Sequence, residues 1–417
     1  MYRDMYQSFS ILVSVAMLVG VISIRNFNIQ VNIAVIITST IAILALKLLS
    51  YLDFVYPMYT HLDKFMATID YHAILMDGML SFLLFAGSLS VNFDHIKEWA
   101  LEIASLAFFS TCLSTVLIGY VSFFTFHWIG IEIPMIYCLL FGALISPTDP
   151  IAVIAMLKDL NAPPSLQTKI AGESLFNDGV GIVIFAVLYD LLEKSVITID
   201  VYSFLGLFFY KSVLGMLFGY VLGVFLKYLI DSRKGNYVTD IMSTLIVTTG
   251  AYTLAELINI SGPLAMVVAG LSLSQTLSSE KISLHRKKEL KHFWNILDEV
   301  FNVILFLLLG LEAITIPLVE NTFLVMVASI IICLSIRFIV VAIPLSLLKI
   351  RKKQEMNSTK IIVWGGLRGG LAMALALSIP YSEYRDVILT ATFSVIIFSI
   401  VIQGTTIKFL VKNEASS

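Results

Sequence analysis

Apolar runs long enough to cross a bilayer recur from one end of this 417-residue chain to the other. A hydrocarbon core about 30 Å thick takes roughly 20 apolar residues as helix. Inside it, every backbone N–H and C=O must find its partner within the protein, and a helix satisfies this segment by segment. Hydropathy and charge punctuation give thirteen such stretches, at about 8–24, 31–50, 71–91, 98–126, 133–157, 167–192, 202–230, 239–258, 262–277, 293–316, 322–348, 359–380 and 386–410. The expectation is an all-α polytopic membrane protein with about thirteen transmembrane helices. Composition agrees: 58% of residues are hydrophobic and 13% charged, against about 45–50% and 25% for soluble domains.

Charge sidedness tests this span count. With the N-terminus outside, nineteen Lys and Arg fall on or beside inner segments, five on outer ones and three deeper in the spans. That asymmetry favours an outer N-terminus, an inner C-terminus and an odd number of spans. The net charge of −2 says little about partners. The run from about Phe9 has no small-residue cleavage site after it and reads as a first span, not a signal peptide. The polar stretch Ser278–His292, "SSEKISLHRKKELKH", reads as an amphipathic inner connector, and no sizeable soluble domain is expected. Cys112, Cys138 and Cys333 lie in apolar runs without metal-ligand or disulfide spacing. The six histidines fall near loops or span ends.

Charge at bilayer depth costs at least about 2.5–3.5 kcal/mol, so each deep ionisable residue needs a partner or a function. In "LFGALISPTDPIAVIAML", Pro147 and Pro150 bracket Asp149. Two prolines remove two backbone donors and clash with the preceding turn, so the helix breaks there. In "VWGGLRGGLAMALALSIP", Gly365, Gly366, Gly369 and Gly370 flank Arg368 and weaken a second helix. A kinked helix with a satisfied Asp, or tight glycine packing, are the plainer readings. Yet these are the fifth stretch of the first six and the fifth of the last six. The two sets start on opposite faces of the membrane, which makes them inverted repeats, about 8–192 and 239–410, linked by 202–230. Interrupted helices at matching positions of inverted halves point to a transporter's binding site.

A third segment, "GESLFNDGVGIVIF", carries Glu173 and Asp178. Ser174, four residues before Asp178, shares its helix face. Glu173 is turned about 140° away, and Arg337, deep in the eleventh stretch, is an available partner. Asp178, Ser174 and Asp149 can therefore share one site. Carboxylates with hydroxyl and carbonyl oxygens suit a hard cation such as Na+. They suit a proton equally, because burial and a like charge nearby favour the neutral acid. A site that holds either species, never both, is the essential part of an exchanger.

"ESLFNDGVGIVIF", "SPTDPIAV", "YTLAELINISGPLAMVVAGL" and "WGGLRGGLA" together resemble the NhaP-type sodium/proton antiporters, monovalent cation:proton antiporters related to the animal Na+/H+ exchangers. The match runs through nearly the whole chain, in order. The resemblance implies a core domain moving against a dimerisation domain, a homodimer in the plasma (inner) membrane, and no cofactor beyond the transported Na+ and H+. It implies Asp178 as the cation- and proton-binding carboxylate, so that Na+ would sit at Asp178 and Asp149. Thr148 would add oxygen, Ser174 would be a ligand and Asn177 a structural neighbour. Pro147, Pro150, Arg368, Gly366 and Gly369 would form the helix crossing, and Glu173 would pair with Arg337. Asn where electrogenic relatives carry Asp implies one-for-one exchange. One departure stands out: "LLFAGSL" has Ala86 where bacterial relatives often carry Glu, and Asp77 on the same stretch is a possible substitute.

The other readings are a K+/H+ antiporter, a proton-gated cation channel and an intramembrane aspartyl protease. The chain shows no short repeated filter motif, and Asp149 and Asp178 lack matching catalytic frames. No enzyme activity and no nucleic-acid partner are expected.

Overall fold

The computed structural model describes residues 10, 13–22, 31–49, 73–91, 93–150, 153, 154, 157, 164–194, 201–231, 235–312, 321–349 and 358–415. Arg3, Arg25, Lys64, Lys158, Arg233, Lys234 and 351–353, used above to count charge sidedness, lie outside the described residues, as does the side chain of Asp77. The described chain is helical, with no strand beyond one isolated bridge between Asp149 and Leu367.

The helices that build the site are α1 (Leu80–Ser90), α2 (Ser110–Trp128), α3 (Met135–Ile145), α4 (Pro164–Glu193), α5 (Val201–Ile230), α6 (Gly262–Leu277), α7 (Leu284–Glu312), α8 (Thr322–Lys349), α9 (Ser358–Trp364), α10 (Gly370–Ser378) and α11 (Glu383–Phe398). By length and apolar composition, six described helices can cross a bilayer: Ala100–Trp128, Ser165–Glu193, Val201–Ile230, Leu284–Leu311, Thr322–Leu345 and Glu383–Val411. This is an integral membrane protein. Its α5 leaves Tyr202, Phe209, Leu217, Tyr220 and Tyr228 exposed, an apolar face that lipid can cover and water would not.

Local sequence sets the helix ends. Ser261 caps α6 by accepting from Leu264 N at 3.2 Å, with Pro263 just inside the helix. Ser382 caps α11 by accepting from Arg385 N at 3.1 Å. The fifth and twelfth expected stretches are both interrupted. Helix α3 ends at Ile145, before Pro147. The twelfth divides into α9 and α10, with Gly365–Gly369 unwound between them.

Within the expected Ser278–His292 connector, helix begins at Leu284, the start of α7, which runs unbroken to Glu312. Arg286 holds its first turn in place. Its guanidinium reaches Asp240 twice, at 2.8 and 2.7 Å, and donates to the Ile230 carbonyl at 2.9 Å. A bidentate ion pair with a buried carboxylate anchors the first turn of α7 against the bundle, where charge pattern alone reads as a solvated face.

Packing places the two interruptions together. Helix α3 lies against α2, α4, α10 and α11, while α6 lies against α1, α4 and α5. Helix α7 closes the group by packing on α1 and α10.

Candidate ion site at the helix crossing

The two unwound segments cross at Asp149. Its backbone N–H donates to the Leu367 carbonyl at 2.8 Å, which pairs one broken helix with the other. Breaking a helix strands carbonyls at its C-terminal end. Arg368 answers two of them: Nη1 donates to the carbonyls of Ser146 at 2.8 Å and Pro147 at 2.7 Å. Its own backbone N–H is taken by Ser399 Oγ at 2.9 Å. A buried guanidinium thus serves the Ser146 carbonyl, whose i+4 donor Pro150 lacks, and the Pro147 carbonyl left open by the break.

The glycines of the second break serve close approach, not special dihedrals. Gly130 is the only described glycine with positive φ. A Cβ on Gly369 would fall 2.6 Å from Asp149 Oδ2. A Cβ on Gly366 would fall 2.7 Å from Arg337 Nε. Each missing side chain makes room for a charged one.

Helix α4 carries the next layer. Ser174 Oγ donates to the Thr148 carbonyl at 2.6 Å. Asn177 holds Thr148 from both sides: its Nδ2 donates to Thr148 Oγ1 at 2.9 Å, and its Oδ1 accepts from Thr148 N at 3.3 Å. All three residues are buried. Asn177 therefore works as a clamp on the unwound segment. Glu173 points away from this face to Arg337 on α8, with Oε1 2.6 Å from Nη1. Arg337 Nη2 also donates to the Ile362 carbonyl of α9 at 3.2 Å. The pair ties α4 to α8 and α9.

Asp178 has a different environment. Its charge lies within reach of Asp149 and Arg368, yet among the described residues its carboxyl makes no hydrogen bond or salt bridge. It lines a cavity of about 330 Å³ together with Thr148, Asp149 and Ser174. Pro147, Pro150, Gly369 and Gly370 line it too, so the cavity sits on the crossing. Two carboxylates, two hydroxyl-bearing residues and unwound backbone converge on a space with room for several waters. Among the described residues, no cluster of three or more His, Cys, Asp or Glu has the geometry of a resident metal centre. Ala86 is buried and does not line the cavity.

Sequence reasoning passed over several polar residues. Asp298 and Asn302 on α7 line the same cavity. Their i, i+4 spacing in an apolar helix, the same as that of Ser174 and Asp178, is the signal that marks them. Gln167 and Thr168 line it as well. Lys169, expected beside an inner loop, is buried: Nζ lies 2.7 Å from Glu102 Oε2 and 3.8 Å from the centre of the Trp99 ring.

Comparison with known proteins agrees with this architecture. The family described as sodium/hydrogen exchanger, transmembrane, matches residues 13–413. The Na(+)/H(+) antiporter NhaP of Pseudomonas aeruginosa is 35% identical over 409 residues, 96% of this chain and 95% of that one. The Na(+)/H(+) antiporter NhaH of Halobacillus dabanensis is 33% identical over 347 residues, 82% of this chain and 83% of the relative. The structure of the sodium proton antiporter MjNhaP1 from Methanocaldococcus jannaschii at pH 8 superposes with a TM-score of 0.75 at 20% identity, covering 99% of this chain and 100% of the other. A match through both interrupted helices and the Asp178 helix places the whole site inside the shared region, and the chain belongs to the sodium/hydrogen exchanger family.

Proposed function

We propose that this chain is a secondary active antiporter that exchanges Na+ for H+ by alternating access, one for one, with Li+ or K+ as the alternative cation. The observation that carries the reading is the placement of Asp178. It faces a cavity at the crossing of two broken helices, with no hydrogen bond from any described residue and Asp149 close by. A bound cation and a bound proton each neutralise the same carboxylate, so either excludes the other. Thr148 and Ser174 add oxygen, Asn177 holds Thr148, and Arg368 stabilises the unwound carbonyls.

Electroneutrality follows from Asn177. Its amide carries no exchangeable charge, and both its polar ends are engaged by Thr148. Asp178 is then the group that gives up a proton as the cation enters. The inverted halves, about 8–192 and 239–410, supply the two facing states around a fixed site. The resemblance to relatives adds a homodimer in the plasma membrane, with the N-terminus outside and the C-terminus inside.

The test is dye-monitored proton flux in proteoliposomes holding the purified chain. Each cation is added in turn against a proton gradient. Collapse of the gradient by Na+ and not by choline supports antiport. Flux that persists without a proton gradient and does not move protons identifies a channel.

A further inference from the structure

The cavity at the crossing holds more carboxylate than the exchange reaction needs. Helix α7 brings Asp298, Asn302 and Leu305 to its wall, one face at i, i+4 and i+7 spacing. The Asp298 carboxyl is near enough to Asp149 for their charges to interact. Asn302 is buried, and its Nδ2 donates to the Asp298 backbone carbonyl at 2.9 Å. Asn302 also makes a side-chain hydrogen bond to the Asp298 carboxyl, so its Nδ2 end is held by Asp298, while Oδ1 accepts from no described residue. Among the lining residues there are three aspartates, Asp149, Asp178 and Asp298, and neither Lys nor Arg.

We propose that Asp298, with Asn302 Oδ1, forms a second cation station in the cavity, which captures the cation before it reaches Asp178. The inference rests on the antiport reading above. A low-dielectric cleft lined by one sign of charge concentrates counter-ions, by about 10-fold or more. A carboxylate beside an amide oxygen offers the ligand chemistry of a hard monovalent ion. Asp298 belongs to α7, which spans the bundle separately from α4. Its charge therefore acts on arrival of the ion, while Asp178 acts on exchange.

The experiment measures initial proton flux against Na+ concentration in proteoliposomes of the full chain. Wild type is compared with Asp298→Asn and Asp298→Glu. The expected result is a half-saturating Na+ concentration raised about 10-fold in D298N, with the maximal rate reduced at most about twofold. D298E, which keeps the charge, should restore the wild-type half-saturation. Choline chloride should raise the half-saturation of wild type and so narrow its gap from D298N, because added salt screens a focusing charge. An unchanged half-saturation in D298N overturns the proposal. So does a lowered maximal rate at unchanged half-saturation, which marks a residue that only braces α7. If D298N does not fold, the choline series on wild type decides: a half-saturation independent of ionic strength overturns the proposal. Absence of cation-dependent flux in wild type is a different outcome, and it overturns antiport itself.

Discussion

Arg337 Nη1 stands 2.6 Å from Glu173 Oε1, with both side chains buried and turned away from the cavity that Asp178 faces. The pair is a brace. Removing one member strands a buried charge, at a cost of about 3–5 kcal/mol. Glu173→Gln and Arg337→Met should each lower the melting temperature in detergent and reduce yield. The charge-swapped double variant should recover part of the loss. Equal stability of the single variants and wild type, by light scattering on heating, would show the brace to be idle.

Asp178→Asn keeps shape and removes the charge for which, on the proposed mechanism, Na+ and H+ compete. Exchange should fall to background, while the protein elutes as wild type from a sizing column. Asp149→Asn should leave a small remnant at most. Robust dye-monitored exchange by D178N would sink the site assignment.

Arg368 donates to two carbonyls at the end of α3, and no other described group replaces it. Leaving two buried carbonyls without donors costs about 1–3 kcal/mol each. Arg368→Met should therefore both destabilise the protein and slow exchange. Arg368→Lys keeps the charge, but its compact ammonium lacks the planar fork and should recover stability only in part. Thermal unfolding and initial flux rates of the two variants check this, and equal behaviour of Met and Lys would contradict it.

Gly369 has φ −103° and ψ −176°, a conformation open to alanine. Gly369→Ala should fold. The new methyl carbon would nevertheless meet Asp149 Oδ2 at 2.6 Å and Asp149 Cβ at 2.9 Å, so the whole Asp149 side chain must shift. The expected outcome is a folded protein with a modestly lowered melting temperature and exchange reduced about tenfold or more, following the sensitivity of a bound site to displacements near 1 Å. Wild-type rates in G369A would show that Asp149 has room to move without consequence.

One-for-one exchange moves no net charge. A potential imposed with valinomycin across proteoliposomes, after K+ is excluded as a substrate, should neither drive nor slow Na+/H+ exchange. Its pH profile should be bell-shaped. At low pH protons occupy Asp178 and exclude Na+; at high pH too few protons remain for the return step. A rate that follows the imposed voltage would mean that a second charge is carried and that the reading of Asn177 is wrong.

Much of this molecule was legible in the sequence, for physical reasons. Bilayer thickness and backbone hydrogen bonding leave few choices for runs of about 20 apolar residues. Pro147, Pro150 and the Gly365–Gly370 cluster break helices by local sterics alone, so the interruptions were visible without coordinates. The helical angle separated Glu173 from Asp178 in the same way. Tertiary structure decided what those local rules do not contain. Arg368 is matched to the Ser146 and Pro147 carbonyls across more than 200 positions of chain. Arg286 holds the first turn of α7 in place because Asp240 waits for it. Lys169 is buried because Glu102 and Trp99 meet it there. Asp298 faces the cavity because α7 packs against α1 and α10. Sequence determines which residues cannot sit alone in a bilayer; only the packing of distant helices decides which partner each of them finds.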